Sequence, residues 1–375
     1  MVGVMTAVPR VVLAPDKFKG SLDAPGVAAA LAAGIAGVAP GAEIREVPVA
    51  DGGDGTVDAF VAAGWQRISL TAPGPTGVDA SASYAVRGDT AVIELAAVVG
   101  LAKLPGGQFD PLGAGTEGLG VVIGHALEDG RTNIVLGLGG SASTDGGAGM
   151  LRALGARLFD AQGRELSMGG AALLDAARLE CAAMHPGIAG ARFTLACDVD
   201  NPLLGPQGAV AVYAAQKGAT AEDMTLLEAA LANWSRLAGA GYAGTPGAGA
   251  AGGTGYGALA LLHAEVRSGI ELILELLDFP TLLADATLVV TGEGSLDPQS
   301  LHGKAPIGVA RMARTAGIPV LAVAGRTLLT GPEIEAAGFA ACYTLTDLQP
   351  DSTLSMTHAA ELLERIGAKL AADHL

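Results

Sequence analysis

Residues 11–38 read VVLAPDKFKGSLDAPGVAAALAAGIAGV, and this stretch decides the fold. A β-branched, apolar run at 11–14 stops at Pro15-Asp16, and the alanine-rich segment 24–38 then has helical character, giving strand, loop and helix in order. The same order returns at once, with a strand at 43–49, the loop Asp51-Gly52-Gly53-Asp54-Gly55 and a helix at 56–63. Two successive βα units predict a parallel sheet.

From residue 66 the pattern changes. Short strands at 66–71, 80–86 and 91–95 are separated by Pro-Gly or Arg-Gly-Asp turns with no helix between them, which predicts an antiparallel or mixed segment. Helix and strand alternate again over 121–127, 133–138 and 146–154, and a helix follows at 222–238. The C-terminal segment repeats the opening style, with strands at 286–291, 320–324 and 340–345 and helices at 307–315 and 357–372. The expected fold class is therefore α/β with two subdomains. Residues 1–64 and 285–375 form a discontinuous domain with a parallel sheet, and residues 65–284 form a mixed α/β domain inserted into it. Two consecutive domains divided in the glycine-rich segment 239–257 are the alternative.

The bulk composition fits this division. Half of the 375 residues are hydrophobic and 16% are charged, enough apolar material for more than one core. A net charge of −16 gives no long-range attraction to nucleic acid or anionic membranes, so neither is an expected partner. Cys181, Cys197 and Cys342 are odd in number and lack metal or redox spacing, which suits a reducing, cytoplasmic setting. Arg10 precedes only a short apolar stretch, so no signal peptide is expected, and no window reaches the about 18 unbroken apolar residues of a membrane span. Assembly as monomer or homodimer is left open.

Polar and glycine-rich clusters fall at the ends of the predicted strands, where open α/β sheets bind ligands. Asp16-Lys17-Phe18-Lys19-Gly20-Ser21 places two lysines in one loop, a site for phosphate or carboxylate, or else a solvated turn with Ser21 as helix cap. Asp51-Gly52-Gly53-Asp54-Gly55-Thr56 combines two acids, able to hold magnesium or hydroxyls, with glycines that allow close backbone approach. The segment from Gly139 to Gly147 leads through Gly140, Ser141, Ser143, Thr144, Asp145 and Gly146 toward a helix. That is either a phosphate cradle of exposed N–H donors and small hydroxyls or a close-packed glycine loop. Cys197-Asp198-Val199-Asp200-Asn201-Pro202 offers a proton acceptor and a metal ligand, or a plain turn. Gly292-Glu293-Gly294-Ser295-Leu296-Asp297, followed by Lys304, mixes acids with one cation as a small hydroxy acid requires. Gly247-Ala248-Gly249-Ala250-Ala251-Gly252 satisfies the dinucleotide pattern literally, but no strand precedes it. A Walker P-loop is absent, and the histidines form no zinc pair.

With these residues assembled, the sequence resembles the type I glycerate kinase family over nearly the whole chain. The segments that carry the likeness are APDKFKGS, PVADGGDGT, GLGGSASTDGGAGM, CDVDNPL, GAAGGTGYG and VTGEGSLDPQSLHGK. The resemblance implies an enzyme that phosphorylates D-glycerate with ATP, giving 2-phosphoglycerate in most bacterial members. It also implies two α/β subdomains, the second inserted into a Rossmann-like first. By this likeness Asp16, Lys17, Lys19, Asp51, Asp54, Asp198, Glu293 and Asp297 face the cleft. With the loop residues read above, the expected substrate site is Asp16, Ser21, Asp51, Gly52, Gly53, Asp54, Glu293, Ser295, Asp297 and Lys304. Gly139, Gly140, Ser141, Ser143, Thr144, Asp145, Gly146 and Gly147, with Gly252, Gly253 and Thr254, would line the ATP phosphates.

Phosphoryl transfer asks for positioning and charge neutralisation, which lysines, acids and backbone N–H groups supply. The expected roles are Asp198 as the group that orients or deprotonates the hydroxyl and Lys17 or Lys19 as the neutralising cation. Mg2+ falls to Asp51, Asp54, Asp198 or Glu293. A kinase acting at the 3-hydroxyl, a GHMP-type kinase suggested by residues 137–142 and a non-catalytic hydroxy-acid sensor are the competing readings. The ADGGDG and GEGSLD segments have no place in the GHMP pattern.

Overall fold

The structure, a computed structural model, describes residues 8–375. Its strands are β1 (Arg10–Pro15), β2 (Glu43–Glu46), β3 (Gln66–Pro73), β4 (Asp79–Arg87), β5 (Thr90–Glu94), β6 (Asn133–Gly137) and β7 (Arg157–Phe159). They continue with β8 (Arg178–Glu180), β9 (Arg192–Ala196), β10 (Glu265–Arg267), β11 (Leu288–Leu296), β12 (Val320–Thr327) and β13 (Ala341–Thr344). The chain divides into two compact units. Unit 1 takes the chain up to Asp51, Asp58–Gly64 and Ile270–Leu375; unit 2 takes Gly52–Val57 and Trp65–Gly269.

Unit 1 is built on a five-stranded sheet of order β13-β12-β11-β1-β2, parallel throughout. Val11, Val12, Leu13 and Ala14 are all fully buried, as a parallel strand covered on both faces requires, so a continuous apolar run rather than an alternating one marks β1. The helix Ala24–Val38 starts at Asp23, whose carboxylate accepts from Gly26 N at 2.8 Å, with a proline in the first turn. Ser21 is not that cap: its hydroxyl donates to Met356 O at 2.7 Å. This helix lies backbone to backbone on the C-terminal helix Ala359–His374. A Cβ at Gly34 would stand 1.9 Å from Glu364 O, and one at Gly367 2.4 Å from Leu31 O. Leu31, Ile35, Leu363 and Ile366 fill the seam with Val290 and Val323.

Strand β11 runs beyond its expected end at 291, because its pairing with β12 continues to Leu296 opposite Thr327. Glycines make this possible, since a Cβ at Gly292 would meet Val323 O at 1.8 Å. Glu293 and Ser295 are therefore strand residues that share one side of the sheet.

Unit 2 has a six-stranded sheet of order β10-β9-β6-β5-β4-β3 and a separate β7-β8 pair. β10, β9, β6 and β5 run parallel, while β5, β4 and β3 form the antiparallel meander expected from the helix-free segment. Its core gathers Ile93, Leu119, Ile123, Leu136, Met150 and Trp234. The Trp234 indole N–H donates to Gly146 O at 3.0 Å, and its ring stands edge-on to Tyr256.

The return crossing to unit 1 lies at Gly269/Ile270, ahead of the expected position near 285. The helix Gly269–Leu276 explains the difference: Ile270 fills the space beside Gly308, and Glu271 pairs with Arg311, both unit 1 residues. No helix among the described residues is long and apolar enough to cross a membrane.

The contact at Gly34 sets an expected outcome. Gly34→Val forces two helices apart and should cost about 3 kcal/mol in unfolding free energy. A urea midpoint equal to that of the parent chain would show that the close approach is not required.

Candidate active site

In unit 1 the first two loops and β11 bring three carboxylates together. Asp16 follows β1, with its N–H donating to Gly292 O at 2.8 Å, and its Oδ1 accepts from Lys17 N at 2.6 Å. Residues 47–49 run beside β1 through Val47 N to Leu13 O and Val49 N to Pro15 O, which delivers Asp51 to the same end of the sheet. Burial, then the charge of Asp51, pushes the Asp16 carboxyl up to about 8, with Lys17 opposing and Glu293 adding to the rise. Part of the Asp16 surface still reaches solvent.

Glu293 projects from β11 and is buried. Its Oε2 stands 3.5 Å from Lys304 Nζ, while Oε1 is buried without a hydrogen-bond partner. Burial raises its pKa, with Ser300 and Lys304 pulling the other way. An inward carboxylate oxygen without a donor is costly unless a cation or hydroxyl completes it. Asp297 and Ser295 are more committed. Asp297 Oδ1 accepts from Gln299 N and Ser300 N, and Ser295 Oγ accepts from Arg326 Nε at 3.2 Å. Lys19 is exposed in the loop after β1.

In unit 2 the loops gather at the C-terminal ends of β5, β6 and β9. Glycine allows them to touch. A Cβ at Gly137 would lie 2.2 Å from Gly52 O, one at Gly139 2.5 Å from Gly53 Cα, and one at Gly52, where φ is +93°, 2.8 Å from Ala196 O. Gly140 and Asp54 are exposed on this rim, and Gly53 and Gly139 partly so. Asp198 leaves β9 on the same rim, and its Oδ1 accepts from Ser268 Oγ at 2.9 Å and Gly269 N at 2.8 Å. Asn201 accepts from Tyr213 Oη at 2.6 Å and donates to Gln207 O. Burial pushes the Cys197 thiol up to about 11, so it stays protonated and unreactive.

The glycine loop after β6 is interior beyond its first residues, unlike the exposed cradle expected from its composition. Ser141, Ser143, Thr144 and Asp145 are buried, as are Gly146 and Gly147. The physical reason is Asp145, whose carboxylate accepts from Thr116 N, Thr116 Oγ1, Gly147 N and Gly149 N at 2.7–3.1 Å. Gly146 N donates to Gly252 O, so the N–H groups of this bend are turned into the protein. Gly252, Gly253 and Thr254 are buried against it, with φ of +66° and +86° at the two glycines. Lys217 also lies beneath, donating to Ser143 O; burial lowers its pKa to about 8 despite Asp145. Of the residues expected to line phosphates, Gly139 and Gly140 reach the surface, and the others support them.

No group of three or more His, Cys, Asp and Glu side chains is arranged to hold a metal ion among the described residues. Asp51 and Glu293 belong to unit 1, and Asp54 and Asp198 to unit 2. The unit 1 acids nonetheless fit magnesium, which needs only one or two carboxylates when phosphates and water complete its shell. The partnerless Glu293 Oε1 and the Asp51 charge that raises the proton affinity of Asp16 are the supporting observations. Sequence reading passed over Thr116, Lys217, Ser300 and Glu94. Of these, Glu94 carried a signal, a lone carboxylate closing an otherwise apolar strand.

The profile of the glycerate kinase family matches residues 11–374. Glycerate kinase of Bacillus subtilis (strain 168) is 41% identical over 371 residues, covering 97% of each chain. Glycerate 2-kinase of Escherichia coli (strain K12) is 43% identical over 332 residues, covering 84% of this chain and 85% of that one. A crystal structure from Salmonella typhimurium LT2, provisionally described as glycerate kinase 2, superposes with a TM-score of 0.83 at 39% identity over 98% of both chains.

The acid cluster gives a pH signature. Folded Asp16 keeps its proton to about pH 8, whereas an ordinary aspartate loses it near 3.8, so the folded state binds the extra proton between those values. Stability contributed by this group is therefore greatest in acid and falls as pH rises toward 8. Asp16→Asn should flatten that part of the melting temperature against pH curve, and an unchanged slope would refute the assignment. In unit 2, Asp145→Ala orphans four buried donors and should cost at least about 3 kcal/mol by chemical denaturation.

Proposed function

This chain belongs to the glycerate kinase family and is a kinase, and we propose that it transfers the γ-phosphoryl group of ATP to the 2-hydroxyl of D-glycerate, with Mg2+ as the metal. The observation that carries the reading is the unit 1 cluster. A buried carboxylate oxygen lacks a donor beside two repelling aspartates, with Lys17 and Lys304 close by, which suits a small anionic polyol and a divalent cation. The description of the Escherichia coli relative as a 2-kinase supports the choice of hydroxyl.

In the proposed reaction the substrate hydroxyl oxygen forms a bond to the γ-phosphorus as the bond to the ADP oxygen breaks, and Asp198 accepts the hydroxyl proton. Ser268 and Gly269 hold Asp198 Oδ1, which fixes the carboxylate before substrate arrives. Lys17 or Lys19 offsets charge on the transferring group, and Lys304 pairs with the substrate carboxylate. Asp51 and Glu293 would hold magnesium, which would supply positive charge to the reacting phosphate. The exposed backbone at Gly140 receives phosphate, with Gly139 N held on Gly52 O beside it, while the Asp145 network keeps the bend beneath in one shape.

ADP release with D-glycerate and ATP should require magnesium, and phosphorus NMR of the product should give the 2-phosphate; a 3-phosphate would overturn the regiochemistry alone. Asp198→Asn should lower kcat by about 10²–10⁴-fold, the usual contribution of a positioned general base. Near-parental turnover in that variant would move the proton-acceptor role to another residue.

A further inference from the structure

The Glu94 carboxylate has no part in the proposed reaction, yet it ends β5 and is only 3% exposed. Its Oε2 accepts from Val57 N at 3.0 Å. Val57 lies in the first turn of the helix Thr56–Ala62, where N–H groups have no partner inside the helix. Such groups are usually capped by the side chain just before the helix. Here that residue is Gly55, which has none, and the Thr56 hydroxyl points back to donate to Gly53 O at 2.6 Å. The cap comes instead from a strand far away in sequence.

The same strand end belongs to the floor of the loop. Glu94 stands opposite Gly137 in the β5–β6 register, and Gly137 and Gly139 press directly on Gly52 and Gly53. Ala196 O closes on Gly52 from β9. Residues 52–55 are thus fastened beneath by β6, beside by β9 and at their far end by Glu94, with Asp54 between these attachments. A serine at 55 would cap the helix locally, and an apolar residue at 94 would avoid the several kcal/mol that a buried carboxylate costs. Stability alone gives no reason for this arrangement. A bond from a rigid strand, set by the reach of its acceptor, does fix the loop more narrowly than a local cap.

We propose that Glu94 is a positioning residue for phosphoryl transfer: through Val57 it holds Gly53 and Asp54 in the geometry the reaction needs, without touching substrate. The proposal rests on the reading of residues 51–54 as part of the glycerate and metal site.

Two variants separate position from charge. Glu94→Gln keeps an acceptor at the same reach, whereas Glu94→Asp keeps the charge but withdraws the oxygen by one methylene. A positioning role requires the Gln variant to retain kcat within about threefold. The Asp variant, though folded, should lose about a hundredfold in kcat with the KM for ATP little changed, the scale expected for a small misplacement. An Asp variant as active as the Gln variant, or more so, would show that the reach of the carboxylate oxygen does not set the rate and would overturn the proposal. Lowered melting temperatures with kcat per folded molecule unchanged, or collapse of both variants, would make Glu94 a structural anchor and overturn it equally. Wild-type enzyme inert toward ATP and D-glycerate would instead overturn the functional reading on which the proposal rests.

Discussion

A backbone N–H that faces the protein interior must be accepted by something. In unit 2 carboxylates do this at several of the loops that meet the C-terminal ends of the strands. Asp145 gathers the bend after β6, Asp198 holds Ser268 and Gly269 after β10, and Glu94 caps the helix that follows the loop after Asp51. Charge-assisted bonds of this kind are short and directional, so they specify where a loop stands as well as whether it is stable. Glycines complete the arrangement by letting one loop's carbonyl rest where a neighbour's Cβ would otherwise be.

Unit 1 uses its acids in the opposite way. Burial and the charges of Asp51 and Glu293 raise the proton affinity of Asp16, and a buried Glu293 oxygen lacks a donor. The same residue type is therefore a fastener where backbone donors converge and a source of electrostatic tension where they do not. Tension of that sort suits a ligand that arrives with its own positive charge and hydroxyl groups. The proposed glycerate would likewise need local cations, which Lys17, Lys19 and Lys304 offer in a chain whose net charge is −16.

Much of the architecture was legible in the sequence, because apolar runs and periodicity report burial and burial fixes the sheets. The β1 run, the antiparallel meander and the alternation at both ends are all visible as patterns of residue type. The length of β11 was not. Its extension depends on glycines at 292 and 325 that admit a neighbouring carbonyl, and glycine in a sequence signals a loop as readily as close strands. The bend at 139–147 misled for a related reason. Composition announces small, donor-rich residues but not the direction of their N–H groups, which Asp145 and Thr116 turn inward. Glu94 is conspicuous as a carboxylate at the end of a strand, but its role is not, because its partner, Val57, is an apolar residue contributing only its backbone.

Trp234 carries one more consequence. This residue, one of two tryptophans in the chain, has its indole N–H tied to the carbonyl of Gly146 and its ring edge-on to Tyr256. The fold has thus installed a fluorophore in contact with the bend it supports, reading polarity and hydrogen bonding at a single carbonyl. Optical spectroscopy of the unlabelled protein has a built-in local reporter, and Trp65→Phe would leave Trp234 as its sole tryptophan source.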